Sequence, residues 1–521
     1  MPRERQAEYK PLSFSTTMRN PSRIADFLNC ILPYEGQILT NDIINDVAAI
    51  LIKRKLYQPM YISRTPRLKS ILNDERDFTD QEVFEIMQNS PQNHKEAGFD
   101  KGWPSRFDTW YKLSMEFGFI YYTIGSPIII STTGHMLIDA LNENPVNDEK
   151  IKNVFLNSLI KYQTRKNAND NSPLLLLLQV IKLLKDDPEE NGAGIFRNEL
   201  SLVICWPNRD AYSLYLKIKE LRNQYRFTYG DEVIYEMCLD LLGATDEQRN
   251  RFKINQITGE AVDEFIRKMR ITGVVSLRGN GRFIDFNSFE SEKITYILNN
   301  YSNYETYTTK ESFFEYIGAI DTNIVSISQP IDEDAITDAR ITTLNRWAEE
   351  YTKEAIIDEL NVVCGNGESR NPVLRIIDKP TRLEFLTSIA LKQHFVGLNV
   401  QPNYHVDDEG LPTFTASGGV ADIEGYDTDC SSLVEVTLMC ARNQATNELP
   451  AITRHLQEAI QQNPDTTIFS ILVAPSIHAD SMYMAAFSKH QYNVDIFTLT
   501  ISEFIEKLQT YNRIIQIKEG A

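Results

Sequence analysis

Apolar residues recur at helical spacing just ahead of two short apolar runs in the first third of the chain. A helix is predicted at Ser105–Phe117, and strands are predicted at Phe119–Ile124 and Ile128–Ile130, separated by a Gly-Ser-Pro turn. The order of these patterns predicts one helix followed by a β-hairpin.

The same order returns further along the chain. Ala261–Arg270 places its apolar residues on one helical face, and strands are predicted at Gly273–Leu277 and Phe283–Phe286. Asn280-Gly281 between the strands is a strong signal for a type I′ hairpin turn. A helix followed by a hairpin is typical of the second half of a winged helix, whose helix enters the major groove of DNA. Two ordinary packed α+β units are the alternative.

A different pattern fills the chain after Asn361, where helices and strands alternate. The predicted elements, in order, are a helix at Thr381–Lys392, strands at Val420–Tyr426 and Ser432–Leu438, a helix at Pro450–Gln462, a strand at Thr467–Val473, a helix around Ser481–Lys489, a strand at Val494–Thr498 and a helix that begins at Ser502. This alternation predicts a three-layer α/β domain with a mostly parallel sheet that starts with an antiparallel hairpin.

The segment between these patterns is acidic, and Ala335–Leu360 is predicted to be one long charged helix. We expect a linker there, with an ordinary surface helix as the alternative. A length of 521 residues suggests about three domains. We therefore predict winged-helix-like subdomains at 1–145 and 146–300, an acidic and largely helical linker at 301–361, and the α/β domain at 362–521.

Charge separates the same two halves. The net charge of -19 would by itself argue against a nucleic-acid partner. However, residues 1–300 carry 38 Lys+Arg against 40 Asp+Glu, whereas residues 301–521 carry 15 against 32. A near-neutral half can still present a basic surface to DNA, whereas an acidic half favours divalent cations.

The cellular compartment is predicted from what the sequence does not contain. The six cysteines are scattered without a C-x-x-C pair and indicate neither a disulfide framework nor a zinc site. Arg3, Glu4 and Arg5 stand where a secretory leader would need an apolar core. The run Leu174–Leu178 is far shorter than the roughly 20 residues of a membrane span, and it is predicted to be a buried helix that begins after Ser172. We expect a cytoplasmic prokaryotic protein without a membrane partner.

The most basic stretch of the chain surrounds the second predicted hairpin. The candidate DNA contacts are Arg267, Lys268, Arg270, Arg278, Asn280 and Arg282, together with Arg106 at the first predicted helix. Lys53-Arg54-Lys55 belongs to a weaker basic set, for which a solvated helix face is the alternative.

Two acidic residues stand out in the α/β domain. Asp422 lies on the first strand of the predicted hairpin and Glu435 on the second, so the hairpin can bring both carboxylates together. Hard oxygen ligands completed by a main-chain carbonyl and waters are what Mg²⁺ requires. Such a cation supports phosphodiester hydrolysis by activating water and neutralising phosphoryl charge. Glu384 and Glu448 are candidates for further ligands or for orienting the water, although acidic turns are often only solvated. His455 on the following helix either faces the scissile phosphate or packs as a structural histidine.

These residues, taken together, resemble the cleavage domain of the AlwI-type type IIS restriction and nicking endonucleases, which belong to the PD-(D/E)XK nuclease superfamily. The N-terminal stretches Phe107–Gly118 and Arg267–Phe286 are similar to the two recognition subdomains of that family. The motifs that carry the resemblance are Ala421-Asp422-Ile423-Glu424, then Glu435-Val436-Thr437, then Glu448 ahead of Ile452-Thr453-Arg454-His455-Leu456, and finally Ile471-Leu472-Val473-Ala474-Pro475.

The resemblance implies roles for individual residues. Asp422 and Glu435 match the metal-binding acidic pair, and Val436 matches the residue that donates a main-chain carbonyl. Glu384 and Glu448 match accessory active-site carboxylates. The lysine that the wider superfamily carries two positions after the second acid is Thr437 here, which leaves the water-activating group open.

The expected protein is therefore multidomain, with α+β winged-helix-like recognition subdomains, a helical linker and a C-terminal α/β PD-(D/E)XK nuclease domain. We expect it to recognise a short asymmetric duplex sequence and to hydrolyse a phosphodiester a few base pairs outside it, leaving 5′-phosphate and 3′-hydroxyl ends. The expected cofactor is Mg²⁺, for which Mn²⁺ can substitute. The expected partners are double-stranded DNA and, for the second strand, a second copy or a small catalytic subunit. A non-catalytic specificity subunit and a structure-specific repair nuclease are the alternatives.

Overall fold

The computed structural model describes residues 23–72, 76–143, 146–164, 170–190, 192, 194–226, 228–249, 253–302, 307–327, 332–365, 367–440 and 444–520. The chain divides into two compact units. Unit 1 comprises 1–47, 92–142 and 147–330, and unit 2 comprises 48–91, 143–146 and 331–521. The four domain ranges given above remain predictions. Arg3, Glu4 and Arg5 lie outside the described residues.

Helices dominate the described chain before residue 330. They are α1 Ile24–Ile31, α2 Asn41–Lys53, α3 Met60–Arg64, α4 Pro66–Leu72, α5 Asp80–Gln88, α6 Trp103–Glu116, α7 Thr132–Asn142, α8 Asp148–Lys161, α9 Pro173–Asp186, α10 Leu200–Cys205, α11 Ala211–Tyr225, α12 Asp231–Leu241, α13 Asp246–Arg249, α14 Ala261–Arg270, α15 Ser291–Asn300, α16 Lys310–Gly318 and α17 Thr322–Ser326. The two helices predicted ahead of hairpins are present as α6 and α14.

The apolar run Leu174–Leu178 lies inside α9, and all of its leucines are buried. The helix begins at Pro173, which suits the first helical position because its missing N–H would have no partner there. The prediction of a buried helix that begins after Ser172 is confirmed.

Two small sheets belong to unit 1. The strands β1 (Ile120–Tyr121) and β2 (Ile129–Ile130) form an antiparallel pair. The strands β3 (Ile195–Phe196), β4 (Val275–Arg278) and β5 (Phe283–Phe286) form an antiparallel sheet in the order β3-β5-β4.

The turn between β4 and β5 has the backbone that its sequence predicts. Asn280 has φ 55° and Gly281 has φ 79°, and the N–H of Arg282 donates to the carbonyl of Gly279 at 3.4 Å. Positive φ at both central residues is what a type I′ turn requires. We call Gly279–Arg282 the second wing, a label that refers only to its place at the tip of the second hairpin predicted from the sequence.

The C-terminal part of unit 2 is a sheet flanked by helices. Its helices are α18 Glu333–Glu350, α19 Lys353–Cys364, α20 Lys379–His394, α21 Leu449–Gln462, α22 Ala479–Tyr492, α23 Ile501–Thr510 and α24 Ile515–Glu519. Its strands are β6 Asn399–Pro402, β7 Tyr404–Val406, β8 Pro412–Ala416, β9 Ile423–Tyr426, β10 Cys430–Val436, β11 Thr467–Ala474 and β12 Ile496–Thr500.

The main sheet runs β12-β11-β10-β9-β6. The neighbours β10, β11 and β12 are parallel, whereas β9 is antiparallel to both β10 and β6. The predicted parallel strands and starting hairpin are present, and the sheet is extended by β6, which the sequence did not predict. The β7–β8 hairpin was not predicted either.

The single long helix predicted at Ala335–Leu360 is wrong. The chain forms α18 and α19, which are separated by Tyr351 and Thr352. The hydroxyl of Thr352 accepts the N–H of Ala355 and thereby caps a new helix start, which ends the first helix and begins the second.

A hydrophobic core of the C-terminal part of unit 2 lies beneath α21. Leu449, Ile452 and Leu456 of that helix are buried against Leu433 of β10 and Leu472 of β11. This packing fixes the start of α21 beside the carboxyl ends of the parallel strands. Among the described residues, no helix combines the length and the apolar character needed to cross a bilayer.

Candidate active site and nucleic-acid interface

Asp422 and Glu435 meet at the end of the β9–β10 hairpin. Val434 pairs with Ile423 in the antiparallel register, so the next position places Glu435 opposite Asp422. The N–H of Val436 donates to Asp422 Oδ2 at 2.8 Å, and the N–H of Asp422 donates to Glu435 Oε2 at 3.3 Å. Each carboxylate is thus held by the backbone of the opposite strand.

Glu384 and Glu448 act electrostatically on the same pair. Burial, followed by the negative charges of Glu435 and Glu384, raises the pKa of Asp422 well above its ordinary value. The charge of Glu448 contributes in the same direction. Glu384 is buried on α20, and its Oε2 accepts the N–H of Ala416 at 2.9 Å. The four carboxylates predicted from the sequence are therefore brought together at one edge of the sheet.

Thr437 is joined to Glu448. Burial raises the pKa of Glu448, and a hydrogen bond from the Thr437 side chain opposes that rise. The N–H of Met439 donates to Thr437 Oγ1 at 3.1 Å. The residue at the position of the usual lysine thus supports a carboxylate instead of supplying a positive charge.

His455 lies within hydrogen-bonding distance of one of the site carboxylates. Its Nδ1 is 3.3 Å from Glu435 Oε1, and its side chain is 10% exposed. The other ring nitrogen, Nε2, is buried and has no hydrogen-bond partner in the described part of the chain. Of the two interpretations drawn from the sequence, the structure favours a histidine of the site.

This arrangement fits a divalent cation. Burial is the first cause of the raised pKa of Asp422, and repulsion from the neighbouring carboxylates adds to it. Carboxylate oxygens are the ligands that hard divalent cations prefer, and a bound cation removes the repulsion. The donor set of Asp422, Glu435, Glu384 and Glu448 is therefore suited to hold one.

A second acidic group, at the tip of the β9–β10 hairpin, already has a cationic partner. The ligand atoms of Asp427, Asp429 and Cys430 lie within 4.8 Å of one another. The guanidinium of Arg513 donates from Nε to Asp427 Oδ2 at 3.2 Å and from Nη1 to Asp429 Oδ2 at 3.2 Å. This cluster is an ion-pair network that holds the hairpin to the C-terminal end of the domain.

Two residues that are absent from the sequence predictions support the site. The N–H of Asn403 donates to the carbonyl of Asp422 at 2.9 Å, and its side chain donates to the carbonyl of Ala421 at 2.8 Å. Gln444 is fully buried one helical turn before Glu448. Asn403 follows strand β6, which the sequence did not predict, so nothing in the sequence indicated it. Gln444 precedes Glu448 by four residues, and this helical spacing was the one signal that could have indicated it.

On the nucleic-acid side, Lys268 and Arg270 are not placed as surface contacts. Lys268 is fully buried and its Nζ pairs with Glu264 Oε2 at 2.8 Å, and Arg270 is 7% exposed. The prediction that both side chains face DNA is wrong, because α14 is enclosed on more than its apolar face. The negative charge of Glu116 at the end of α6 also acts on Lys268.

The basic residues around the second wing differ in exposure. Arg267 is partly exposed and pairs with Glu264 at 2.7 Å. Arg278 is partly exposed, and its Nη2 donates to the carbonyl of Phe286 at 2.8 Å. Asn280 and Arg282 are exposed at the turn itself.

Arg106 lies elsewhere in unit 1, at the start of α6. It is half-buried, and its Nε donates to Gln92 Oε1 at 2.9 Å. Among the predicted contacts, Asn280 and Arg282 are therefore the exposed residues in the described structure.

Solved structures similar to this chain are restriction endonucleases. The small subunit of the heterodimeric restriction endonuclease R.BspD6I is 25% identical, with 30% of this chain and 77% of that chain covered and a TM-score of 0.26. Restriction endonuclease FokI is 11% identical, with 98% of each chain covered and a TM-score of 0.26. FokI bound to DNA is 12% identical, with 96% of this chain and 95% of that chain covered and a TM-score of 0.24. No curated protein matches the chain.

The sequence itself gives the stronger relationship. The family model of the AlwI restriction endonuclease matches residues 115–346 and 320–506, so the match takes in both the second wing and the carboxylates of the β9–β10 hairpin. Because these regions make up more than half of the chain, the protein belongs to the AlwI restriction endonuclease family.

Proposed function

We propose that this type IIS-like restriction endonuclease recognises a short asymmetric sequence in duplex DNA and hydrolyses a phosphodiester a few base pairs outside it. The products are 5′-phosphate and 3′-hydroxyl ends. The observation that carries the proposal is the convergence of Asp422, Glu435, Glu384 and Glu448, with His455 beside them, at one edge of the main sheet.

Restriction endonucleases generally use a divalent metal, and the residues assigned to it here are Asp422, Glu435 and the main-chain carbonyl of Val436. We assign Mg²⁺, with Mn²⁺ as a substitute, because carboxylate and carbonyl oxygens match its preference. When bound, the cation neutralises charge on the phosphoryl oxygens and makes water more nucleophilic.

The chain's own residues orient and move protons. Glu448, whose raised pKa brings proton exchange closer to neutral pH, is assigned to take the proton of the attacking water. Glu384 is held rigidly by the N–H of Ala416 and orients that water or a second ion. His455 steadies Glu435 through Nδ1.

DNA recognition is assigned to winged-helix-like subdomains at 1–145 and 146–300. In support, the order β3-β5-β4, with α9 before β3 and α14 before the β4–β5 hairpin, is the strand arrangement of a winged helix. The assigned contacts are Asn280 and Arg282 at the second wing. Arg278, Arg267 and Arg106 are assigned as further contacts, which requires their side chains to turn from their present protein partners toward DNA. An acidic linker at 301–361 joins these subdomains to a PD-(D/E)XK cleavage domain at 362–521.

The single catalytic constellation proposed here cuts one strand. Cleavage of both strands then requires a second nuclease domain, from a second copy or from a small catalytic subunit. Incubating purified protein with supercoiled plasmid and Mg²⁺ separates the cases, because nicked product indicates one-strand cleavage and linear product indicates two. Sequencing the ends tests the site offset, and ends at no fixed distance from a shared motif would contradict type IIS cleavage.

Asp422→Asn tests the active site. It keeps the side-chain shape and removes one ligand charge, so plasmid cleavage with Mg²⁺ is expected to fall below detection. Asp429→Asn, on the same hairpin but paired with Arg513, is the matched control and should cleave normally. Normal cleavage by Asp422→Asn would show that this site does not carry the reaction.

A further inference from the structure

The amide of Gln444 joins three segments at the edge of the sheet that carries the carboxylates. Its Nε2 donates to the carbonyl of Met439 at 2.7 Å and to that of Ser476 at 2.9 Å. Its Oε1 accepts the N–H of His478 and the hydroxyl of Ser481, both at 3.1 Å. The side chain is fully buried, so every bond that its amide makes is with the protein.

The segments that Gln444 joins leave the ends of β10 and β11 and enter α22. Met439 follows β10, Ser476 follows β11, and Ser481 lies in the first turn of α22. Loops at strand ends are held less firmly than strands, because they lack ladder hydrogen bonds. A buried amide that satisfies two carbonyls and two donors at once fixes their relative positions.

One of these bonds leads to Glu448. Gln444 holds the carbonyl of Met439, and the N–H of Met439 in turn donates to Thr437 Oγ1 at 3.1 Å. The Thr437 side chain in turn interacts with the Glu448 carboxylate and opposes the rise of its pKa, because a hydroxyl can accept one hydrogen bond and donate another. Gln444 is also the first residue of the π-helical turn that ends at Glu448. The two residues are therefore connected both through the backbone turn and through a chain of hydrogen bonds.

We propose that Gln444 is a positioning residue that sets the Glu448 carboxylate through Met439 and Thr437. The inference rests on the proposed function, because it needs Glu448 to take part in cleavage. In this arrangement the threonine at the usual lysine position acts as the last member of a hydrogen-bond chain that begins at a buried amide.

Gln444→Glu is the main test, because it preserves shape and both accepted bonds while it removes both donors. Removal of such outer hydrogen bonds typically costs about 10–100-fold in metal affinity or activity. We expect the Mg²⁺ concentration for half-maximal plasmid cleavage to rise, or the maximal rate to fall, by that range. Gln393→Glu is the matched control, because Gln393 in the same domain also donates to two carbonyls, those of Ala348 and Tyr351, away from Glu448.

A purely structural role would lower the thermal stability of both glutamate variants and leave the half-maximal Mg²⁺ concentration and the rate per folded molecule unchanged. The proposal would be overturned if Gln444→Glu and Gln393→Glu had the same half-maximal Mg²⁺ concentration and the same rate per folded molecule. If Gln444→Glu does not fold, Ser481→Ala removes one bond to the same amide and should produce a smaller change in the same direction. No change in Ser481→Ala would then overturn it.

A double variant tests the route. Thr437→Val cuts the chain next to Glu448, so Thr437→Val with Gln444→Glu should cleave no more slowly than Thr437→Val alone. Independent, additive losses would overturn the route through Thr437. Asp422→Asn in the same assay separates a failure of the proposed active site from a failure of the role proposed for Gln444. Retained cleavage by Asp422→Asn rejects the proposed site itself, whereas an inactive Asp422→Asn beside an unaffected Gln444→Glu rejects only the role of Gln444.

Discussion

Lys268 and Arg282 have the same charge and were predicted as DNA contacts on the same grounds, but the structure places their side chains in opposite environments. Lys268 is fully buried and paired with Glu264, whereas Arg282 is exposed at the second wing. Lys268→Met removes the buried partner of a carboxylate while it approximately preserves side-chain volume. The expected result is loss of stability with little effect on DNA binding.

The magnitude follows from what remains around Glu264. Removal of one member of a buried ion pair costs about 3–5 kcal/mol. Arg267 still pairs with Glu264 Oε1, so we expect a cost at the lower end of this range, about 3 kcal/mol. With a few degrees of melting temperature for each kcal/mol, the shift for a unit of this size is roughly 5–10 °C.

The assays are thermal unfolding and DNA binding at several salt concentrations. Lys268→Met should lower the melting temperature and leave the slope of binding affinity against salt unchanged. Arg282→Ala should leave the melting temperature unchanged and reduce that slope by roughly 1, the contribution of one phosphate contact. Glu264→Gln added to Lys268→Met should recover stability, because no uncompensated buried charge remains. A Lys268→Met protein with native stability and a reduced salt slope would refute the burial argument.

Three further changes test other parts of the structure. The raised pKa values of Asp422 and Glu448 mean that their neutral forms favour the metal-free fold and that this stability is lost as pH rises. Mg²⁺ should therefore raise the melting temperature more at alkaline than at mildly acidic pH, and equal shifts would contradict the assignment. Thr437→Val should raise the pKa of Glu448 further and move the acid limb of the pH–rate profile to higher pH, whereas an unmoved limb would exclude Glu448 as the base. Gly273→Ala should destabilise the protein by about 1–3 kcal/mol, more than Gly279→Ala in urea unfolding, because both have positive φ but only at Gly273 would a Cβ meet Lys152 closely.

The acidic pair of the site was predictable because strand alternation and a short hairpin determine it almost completely. Once Asp422 and Glu435 are placed on neighbouring antiparallel strands, the register alone brings them opposite each other. Glu384 lies on α20 and Glu448 directly precedes α21, so both are distant from the hairpin in sequence, and they could be offered only as candidates. Their convergence depends on how α20 and α21 pack on the sheet, which no local pattern specifies.

The basic residues of α14 show why the DNA-binding prediction failed in part. Helical periodicity identifies one apolar face, and it assigns everything else to solvent. Lys268 and Arg270 lie off that face, but further elements of unit 1 cover them, and a buried carboxylate neutralises Lys268. A sequence pattern records which face is apolar, whereas the number of neighbours around a helix is a property of the tertiary fold.

The edge strand β6 was missed for a related reason. Its four residues, Asn399–Pro402, alternate between exposed and buried, so only Val400 and Pro402 contribute to the apolar pattern. Proline is tolerated there because an edge strand does not need every N–H for a ladder. Yet β6 determines where Asn403 lies, and Asn403 holds the peptide of Asp422 from its other side.

Thr437 stands where the wider superfamily carries a lysine, and this difference changes the charge balance of the site. A lysine at this position would bring a positive charge to the carboxylates, and threonine does not. The site therefore has no lysine at this position to balance the charges of Asp422, Glu435, Glu384 and Glu448. Under the proposed function, the assigned divalent cation supplies the positive charge that the lysine would otherwise bring to these carboxylates.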